Sequence, residues 1–377
     1  MTEEWLFGQK PVPPDAGWYE AVKKEWDRIA KPLDGFGQFE TVTAQIGAIR
    51  HRAQPSVEKR AVLVFCADNG IVEEGISQSG QEVTQTVAAN MGKGITTVCK
   101  MAKKAGVKVF PVDIGINCDV PIPGVENKKV AKGTANFAKT PAMTKKQALQ
   151  AVAVGMELVK RCAEQQYGLV GIGEMGIGNT TTSSAVAAAL LGRPVREMTG
   201  RGAGLSDSGL RHKTAVIEKA LEKYGFTPAQ AEKGDTPAEA APAGDTLLGD
   251  TLRILADVGG FDIAGMAGAC IGGALYGIPV VLDGVISMVA ALTAERLVPG
   301  VKDYLIASHV SREPAAGAIA RALALHPVID AGMALGEGTG AVMLFALLDL
   351  VMAVYGEQTT FEDIRLEQYV RFDGKES

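Results

Sequence analysis

Three apolar runs in this chain each lead to an aspartate with a glycine close behind. Residues 61–66 (AVLVFC) precede Asp68 and Gly70, residues 109–112 precede Asp113 and Gly115, and residues 279–282 precede Asp283 and Gly284. A strand with one wet face alternates apolar and polar residues, whereas unbroken runs need both faces covered, as in a parallel sheet between helices. The segments between the runs carry helical spacing. Two helices are expected over 18–54, broken at Lys31-Pro32 and Asp34-Gly35, and others over 81–91, 94–105, 144–165, 263–276, 314–325 and 341–355. Residues 1–20 are expected to wrap loosely over the surface and 117–140 to be irregular. Strands alternating with helices give an α/β fold whose ligands bind beyond the carboxyl ends of the strands, where the three aspartates stand.

Two apolar stretches could suggest a membrane. Residues 263–282 carry no charge and match the ~20 residues of a span, but Tyr276-Gly-Ile-Pro279 is a turn signal and Asp262 and Asp283 flank it without basic anchors. A buried helix followed by a buried strand is expected there. Residues 342–354 contain Asp349 and are expected to be a core helix. A net charge of −5 with scattered Lys and Arg gives no footprint for nucleic acid or an anionic membrane. Five cysteines without a CxxC pair and four dispersed histidines argue against a disulfide framework and a protein-bound metal. The acidic N-terminus lacks the features of a signal peptide, so a reduced, cytosolic protein is expected.

Residues 171–182, GIGEMGIGNTTT, follow the apolar run 167–170 and lead into SSAVAAALL. A short strand, a glycine-rich turn and a helix starting on hydroxyl residues would present N–H groups to a phosphate. Glu174 is the exception: a carboxylate near a pyrophosphate is repelled and suits a sugar, a cationic ring or a proton better. The formal GxGxxG from Gly171 to Gly176 lacks a partner acid at a second strand end, because Glu197 follows Gly192-Arg-Pro. A second glycine loop, 200–204, is followed by Lys213, which could clamp a phosphate as a point charge or be an ordinary solvated lysine. In Gly336-Glu337-Gly338, a carboxylate lies between apolar segments. It is either a favourable charge at a helix N-terminus or a general base raised by apolar surroundings. From the residues alone, the chemistry expected is transfer of a phosphorylated sugar. A nicotinamide-dinucleotide oxidoreductase of Rossmann type remains the rival. Residues 226–245, rich in Ala, Pro and Glu, are expected to be an exposed connector.

At CADNG (66–70), AANM (88–91), PIPG (121–124), GEMGIGNTT (173–181), VGGFD (258–262), LDG (282–284) and LGEG (335–338), the chain resembles the nicotinate-nucleotide:dimethylbenzimidazole phosphoribosyltransferases of cobamide synthesis. The resemblance runs from about the first helix to residue 355. It implies a large domain, 59–307, with a Rossmann-like parallel sheet and helices on both faces. A smaller helical domain would come from both chain ends, 1–58 and 308–377. It implies Glu337 as catalytic base and Glu174 as a second acid facing the reacting centre. Gly176, Gly178, Asn179, Thr180, Gly202, Gly204 and Lys213 would hold nicotinate mononucleotide, and Ser79, Val87, Met175 and Leu335 would line the base pocket. No cofactor is implied, because a cationic nicotinate ring is already a good leaving group. Members of the family are dimers.

The family often has Gln at the position of Val87, Leu at Met175 and His at Asn69. Without the Gln amide a polar contact to the incoming base is lost, and methionine makes a softer wall. Both changes favour a phenolic base over dimethylbenzimidazole. Relatives that use phenol or p-cresol pair two homologous subunits, so a homodimer, a heterodimer and a non-catalytic scaffold subunit are all open; intact Glu174 and Glu337 count against the last.

Overall fold

A computed structural model describes residues 1–226, 245–357 and 359–372. Its centre is a six-stranded sheet, β1 (Arg60–Ala67), β2 (Lys108–Gly115), β3 (Glu126–Asn127), β4 (Leu169–Met175), β5 (Val280–Leu282) and β6 (Leu305–Ala307). The strand order is β3-β2-β1-β4-β5-β6, and every pairing is parallel. The order reverses between β1 and β4, which opens a crevice at their carboxyl ends.

The side-chain period of two explains the unbroken apolar runs. Along β1, Ala61, Leu63, Phe65 and Ala67 belong to one core cluster, and Val62, Val64 and Cys66 to a second on the opposite face. Helices Lys145–Glu164, Phe261–Tyr276 and Val285–Leu297 supply the first cluster. Helices Glu82–Gly92, Thr97–Lys104 and Thr339–Gly356 supply the second. The uncharged stretch 263–282 is thus a buried helix and a buried strand, as expected. Its glycines seat one helix directly on another: a Cβ on Gly155 would lie 2.6 Å from Ala269 N.

Helix Thr339–Gly356 is long and apolar enough to cross a membrane by length and composition. It packs against the sheet instead, with Ala341, Leu344, Phe345 and Leu348 in the second cluster. Buried Arg60 ties it down, donating to Asp349 Oδ1 and Oδ2 at 2.7 and 3.0 Å and to Phe345 O at 2.9 Å. The far end of this helix meets helices Ala16–Arg28 and Gln38–Arg50 through Val22, Trp26, Ala44, Val351 and Tyr355. Trp26 Nε1 donates to Thr43 Oγ1 at 2.8 Å, so the indole N–H is satisfied inside this small core.

The structure departs from the sequence reading in several places. β4 continues through Met175, so residues 171–175 are strand and the turn begins only at Gly176. Gly171 and Gly173 are glycines of the strand with no room for a side chain: a Cβ on Gly171 would fall 2.8 Å from Ala341 Cβ, and one on Gly173 2.5 Å from the backbone Gly338 Cα. Within 1–20 there is a helix, Glu3–Phe7, capped by Thr2, and Asp15 caps the next. β3, inside the stretch expected to be irregular, and β6 were not expected at all. The connector 226–245, apart from its two end residues, lies outside the described residues.

Candidate functional site

The carboxyl ends of β1, β4 and β5 bring one set of acids together. Glu174 pairs in register with Phe65 at the centre of the sheet. Its carboxylate is buried and accepts from Asn179 Nδ2, the first residue of helix Asn179–Leu191. Burial pushes its pKa well up, the negative charges of Asp262 and Asp283 add to this, and the Asn179 amide opposes it.

Glu337 reaches the same place from the other side. Gly336, Glu337 and Gly338 all take left-handed backbone, with φ of 91°, 59° and 78°. Three such residues in a row are strained for a non-glycine centre and persist only where the surroundings fix them. Here Asp283 does the fixing: Oδ2 accepts Gly338 N–H at 2.8 Å and Oδ1 accepts Gly340 N–H at 2.7 Å. Thr339 Oγ1 donates to Gly336 O at 2.8 Å. Gly336 lies against the other acid, since a Cβ there would sit 2.8 Å from Glu174 Oε1. Burial raises the Glu337 pKa and Asp283 adds to it, while the Val98 N–H works against both. Its Oε2 is buried without a hydrogen-bond partner. Glu337 is therefore both readings at once, a carboxylate just before a helix and a raised one.

Asp262, wholly buried beneath Gly176, completes the group. A Cβ on Gly176 would lie 3.0 Å from Asp262 Oδ2 and 3.2 Å from Asn69 Nδ2. Burial pushes Asp262 up to about 6, against the Ile263 N–H and the Asn179 and Asn69 amides. The sequence places Asp283 at a strand end where ligands bind but assigns neither Asp283 nor Asp262 a role in the site. The available signal was their position, one after an apolar strand and one at the start of an uncharged helix. Buried His309, on the loop after β6, stands 3.9 Å from Asp283 Oδ1 and contacts Ser308 Oγ at 3.0 Å. It went unnoticed because nothing in its local sequence marks it.

Next to the acids is a polar cradle. Gly178, left-handed at φ 93°, caps helix Asn179–Leu191, whose first turn is mostly buried hydroxyl residues without a side-chain cap. Thr180 Oγ1 accepts from Lys213 Nζ at 2.9 Å, and Lys213 also donates to Gly200 O at 3.2 Å. Lys213 is fully buried, not solvated, and burial lowers its pKa to about 8. An ammonium has three N–H donors, and these two acceptors leave one for a ligand. Gly202 and Gly204 are left-handed, and a Cβ on Gly202 would lie 2.7 Å from Thr180 Oγ1. Gln78 Nε2 donates to Gly204 O, which draws the 73–80 loop over the cradle.

Val87 and Met175 are half-buried and pack on the same apolar cluster as Cys66, Ala88 and Met91. Ser79 is half-buried, while Leu335 is 55% exposed in the single chain. A separate cleft of about 650 Å³, lined by Tyr19, Gln45, Ile306 and Leu325 among others, includes none of these residues. Among the described residues, no group of three or more His, Cys, Asp or Glu side chains could hold a metal ion. The arrangement can hold an anion in the cradle and present raised carboxylates to whatever is attached to it.

A phosphoribosyltransferase family model matches residues 12–365. The chain is 41% identical over 350 residues to the nicotinate-nucleotide–dimethylbenzimidazole phosphoribosyltransferase of Acetivibrio thermocellus, covering 93% of this chain and 94% of the relative. It is 41% identical over 348 residues to the enzyme of that name from Clostridium acetobutylicum, covering 92% and 93%. The crystal structure titled as that transferase from Thermus thermophilus superposes with a TM-score of 0.81 at 34% identity, covering 94% of this chain and 100% of that one.

Proposed function

The chain belongs to this phosphoribosyltransferase family, and on that premise we propose that it transfers the 5-phosphoribosyl group of nicotinate mononucleotide to an aromatic base. The products are an α-ribotide and nicotinate, and the purpose is assembly of a cobamide nucleotide loop. The observation that carries this reading is Glu337, held on a left-handed turn beside Glu174 and next to the Thr180–Lys213 cradle.

The cradle holds the 5′-phosphate through Lys213 and the N–H groups of the 176–180 and 200–204 loops. The base attacks C1′ opposite the nicotinate, so β becomes α. As the new bond forms, the C1′–N bond breaks and its electron pair returns to the pyridinium nitrogen, neutralising the ring. The proton of the incoming base passes to Glu337. Glu174, its pKa raised by burial, orders the ribose end through its hydrogen-bonding oxygens. Holding both reactants in line makes the step effectively unimolecular.

The relatives' names favour 5,6-dimethylbenzimidazole as the base. One observation favours phenol or p-cresol as a second reading: Val87 and Met175 pack as apolar side chains on the second cluster, and neither side chain offers an amide to a ring nitrogen. A phenol has a pKa near ~10 and needs a base even more. Purified protein given nicotinate mononucleotide with each base in parallel decides. Nicotinate release with dimethylbenzimidazole alone supports the first base, and release with phenol supports the second. Release with neither, from a preparation that is a stable homodimer, contradicts the reading. We further infer a dimer, with itself or a homologous subunit, because Met343, Leu350 and Val354 leave an apolar stripe exposed on helix Thr339–Gly356; sedimentation at micromolar concentration checks it.

A further inference from the structure

Glu313 lies on the loop after β6, just before helix Ala315–Leu323, and nothing in the sequence singles it out. Its carboxylate reaches into the 200–204 loop. Oε1 accepts Gly202 N–H at 3.1 Å, and a Cβ on Gly200 would lie 2.5 Å from Glu313 Cδ and 2.8 Å from Oε1. On the other side of Gly200, the Lys213 ammonium donates to the Gly200 carbonyl. The Glu313 charge is also what partly offsets the burial of that ammonium. No direct ion pair joins the two. An internal anion therefore occupies the mouth of a cradle built from a buried cation, left-handed glycines and a backbone N–H.

We propose that Glu313 is a resident anion, which holds the 200–204 loop in the empty enzyme and is displaced when the 5′-phosphate enters. This rests on the reading that the cradle binds phosphate. A phosphate dianion and a carboxylate cannot share the Gly202 N–H, because like charges at hydrogen-bonding range repel strongly in a partly buried site. Nucleotide binding is then an exchange of anions, and its affinity is the difference between the two. Glu313 weakens the nucleotide but keeps a buried cation compensated and the glycine loop closed when no substrate is present.

The test is Glu313→Gln, which keeps an oxygen for Gly202 N–H and removes only the charge. Two constants are read in wild type and variant: KM for nicotinate mononucleotide, and the dissociation constant of inorganic phosphate by calorimetry. Displacement predicts that both fall, on the order of tenfold. Constants that rise or stay unchanged overturn the proposal, since a carboxylate that binds substrate or only braces the loop would not oppose phosphate. The phosphate titration needs no turnover. Wild-type protein that binds phosphate but releases no nicotinate would count against the enzymatic reading, and the variant's affinity would still decide for or against Glu313.

Discussion

Gly173→Ala probes the contact that carries Glu337. A Cβ at this position would sit 2.5 Å from Gly338 Cα and 2.6 Å from Glu337 C, both backbone atoms. Carbon contacts are comfortable only from ~3.5 Å, so the 336–338 turn must retreat by about 1 Å. It cannot do so freely, because Gly338 and Gly340 donate to the Asp283 carboxylate at 2.8 and 2.7 Å. Strand β4 cannot give way either, being paired to β1 along its whole length. Overpacking of this kind costs about 1–3 kcal/mol of stability. Misplacing a reacting group by ~1 Å costs on the order of 100-fold in rate. The expected result is a folded protein with a modestly lower urea midpoint and kcat at saturating substrates down by about two orders of magnitude. Gly249→Ala is the control: it is helical with nothing within 4 Å of its Cβ position, and should gain ~0.5–1 kcal/mol with kcat intact. A Gly173→Ala enzyme with kcat within about threefold of wild type would refute the claim that this glycine positions Glu337.

Other consequences follow from the buried charges. Asp283→Asn replaces one acceptor facing two N–H groups with a donor, so it should lower kcat at least tenfold and stability by about 1–3 kcal/mol, measured by turnover and urea denaturation. Lys213 has its pKa lowered to about 8, and in the proposed mechanism it is the charge that meets the phosphate. Its ammonium is present below that pH and lost above it, so kcat/KM should fall as pH rises through ~8; Lys213→Met should raise KM and abolish that limb. In the proposed mechanism Glu337 acts only when ionised, and its pKa is raised, so the acid limb of kcat/KM should lie above the usual carboxylate range. That limb should vanish in Glu337→Gln.

The parallel sheet was legible because strands covered on both faces must be apolar throughout, and residues 61–66 are. The short strands β3 and β6 were not: β3 is two polar residues, and β6, though as short as β5, lacks the aspartate and glycine that mark the end of β5. Residues 171–175 were misread as turn for a physical reason. Glycine in a sequence signals a turn equally whether it serves left-handed backbone, as at Gly178, or close packing in a strand, as at Gly173. Glu174 and Glu337 stood out as carboxylates among glycines, and the fold brings them together. Lys213 gave no hint of its burial, which depends on its helix folding back onto Thr180 and the 200–204 loop. Glu313 and His309 arrive from β6, a strand the sequence did not reveal, so their approach to the site could not be foreseen.

The most direct measurement is Glu337→Gln, with nicotinate release followed at saturating nicotinate mononucleotide and base, and nucleotide affinity measured by calorimetry on the same preparation. A base that removes a proton in the transition state contributes roughly 10²–10⁴-fold. The account predicts a loss of kcat in that range with nucleotide affinity within about threefold of wild type. Release at near wild-type rate, or loss of nucleotide binding with kcat preserved, would contradict it and remove Glu337 from the chemistry.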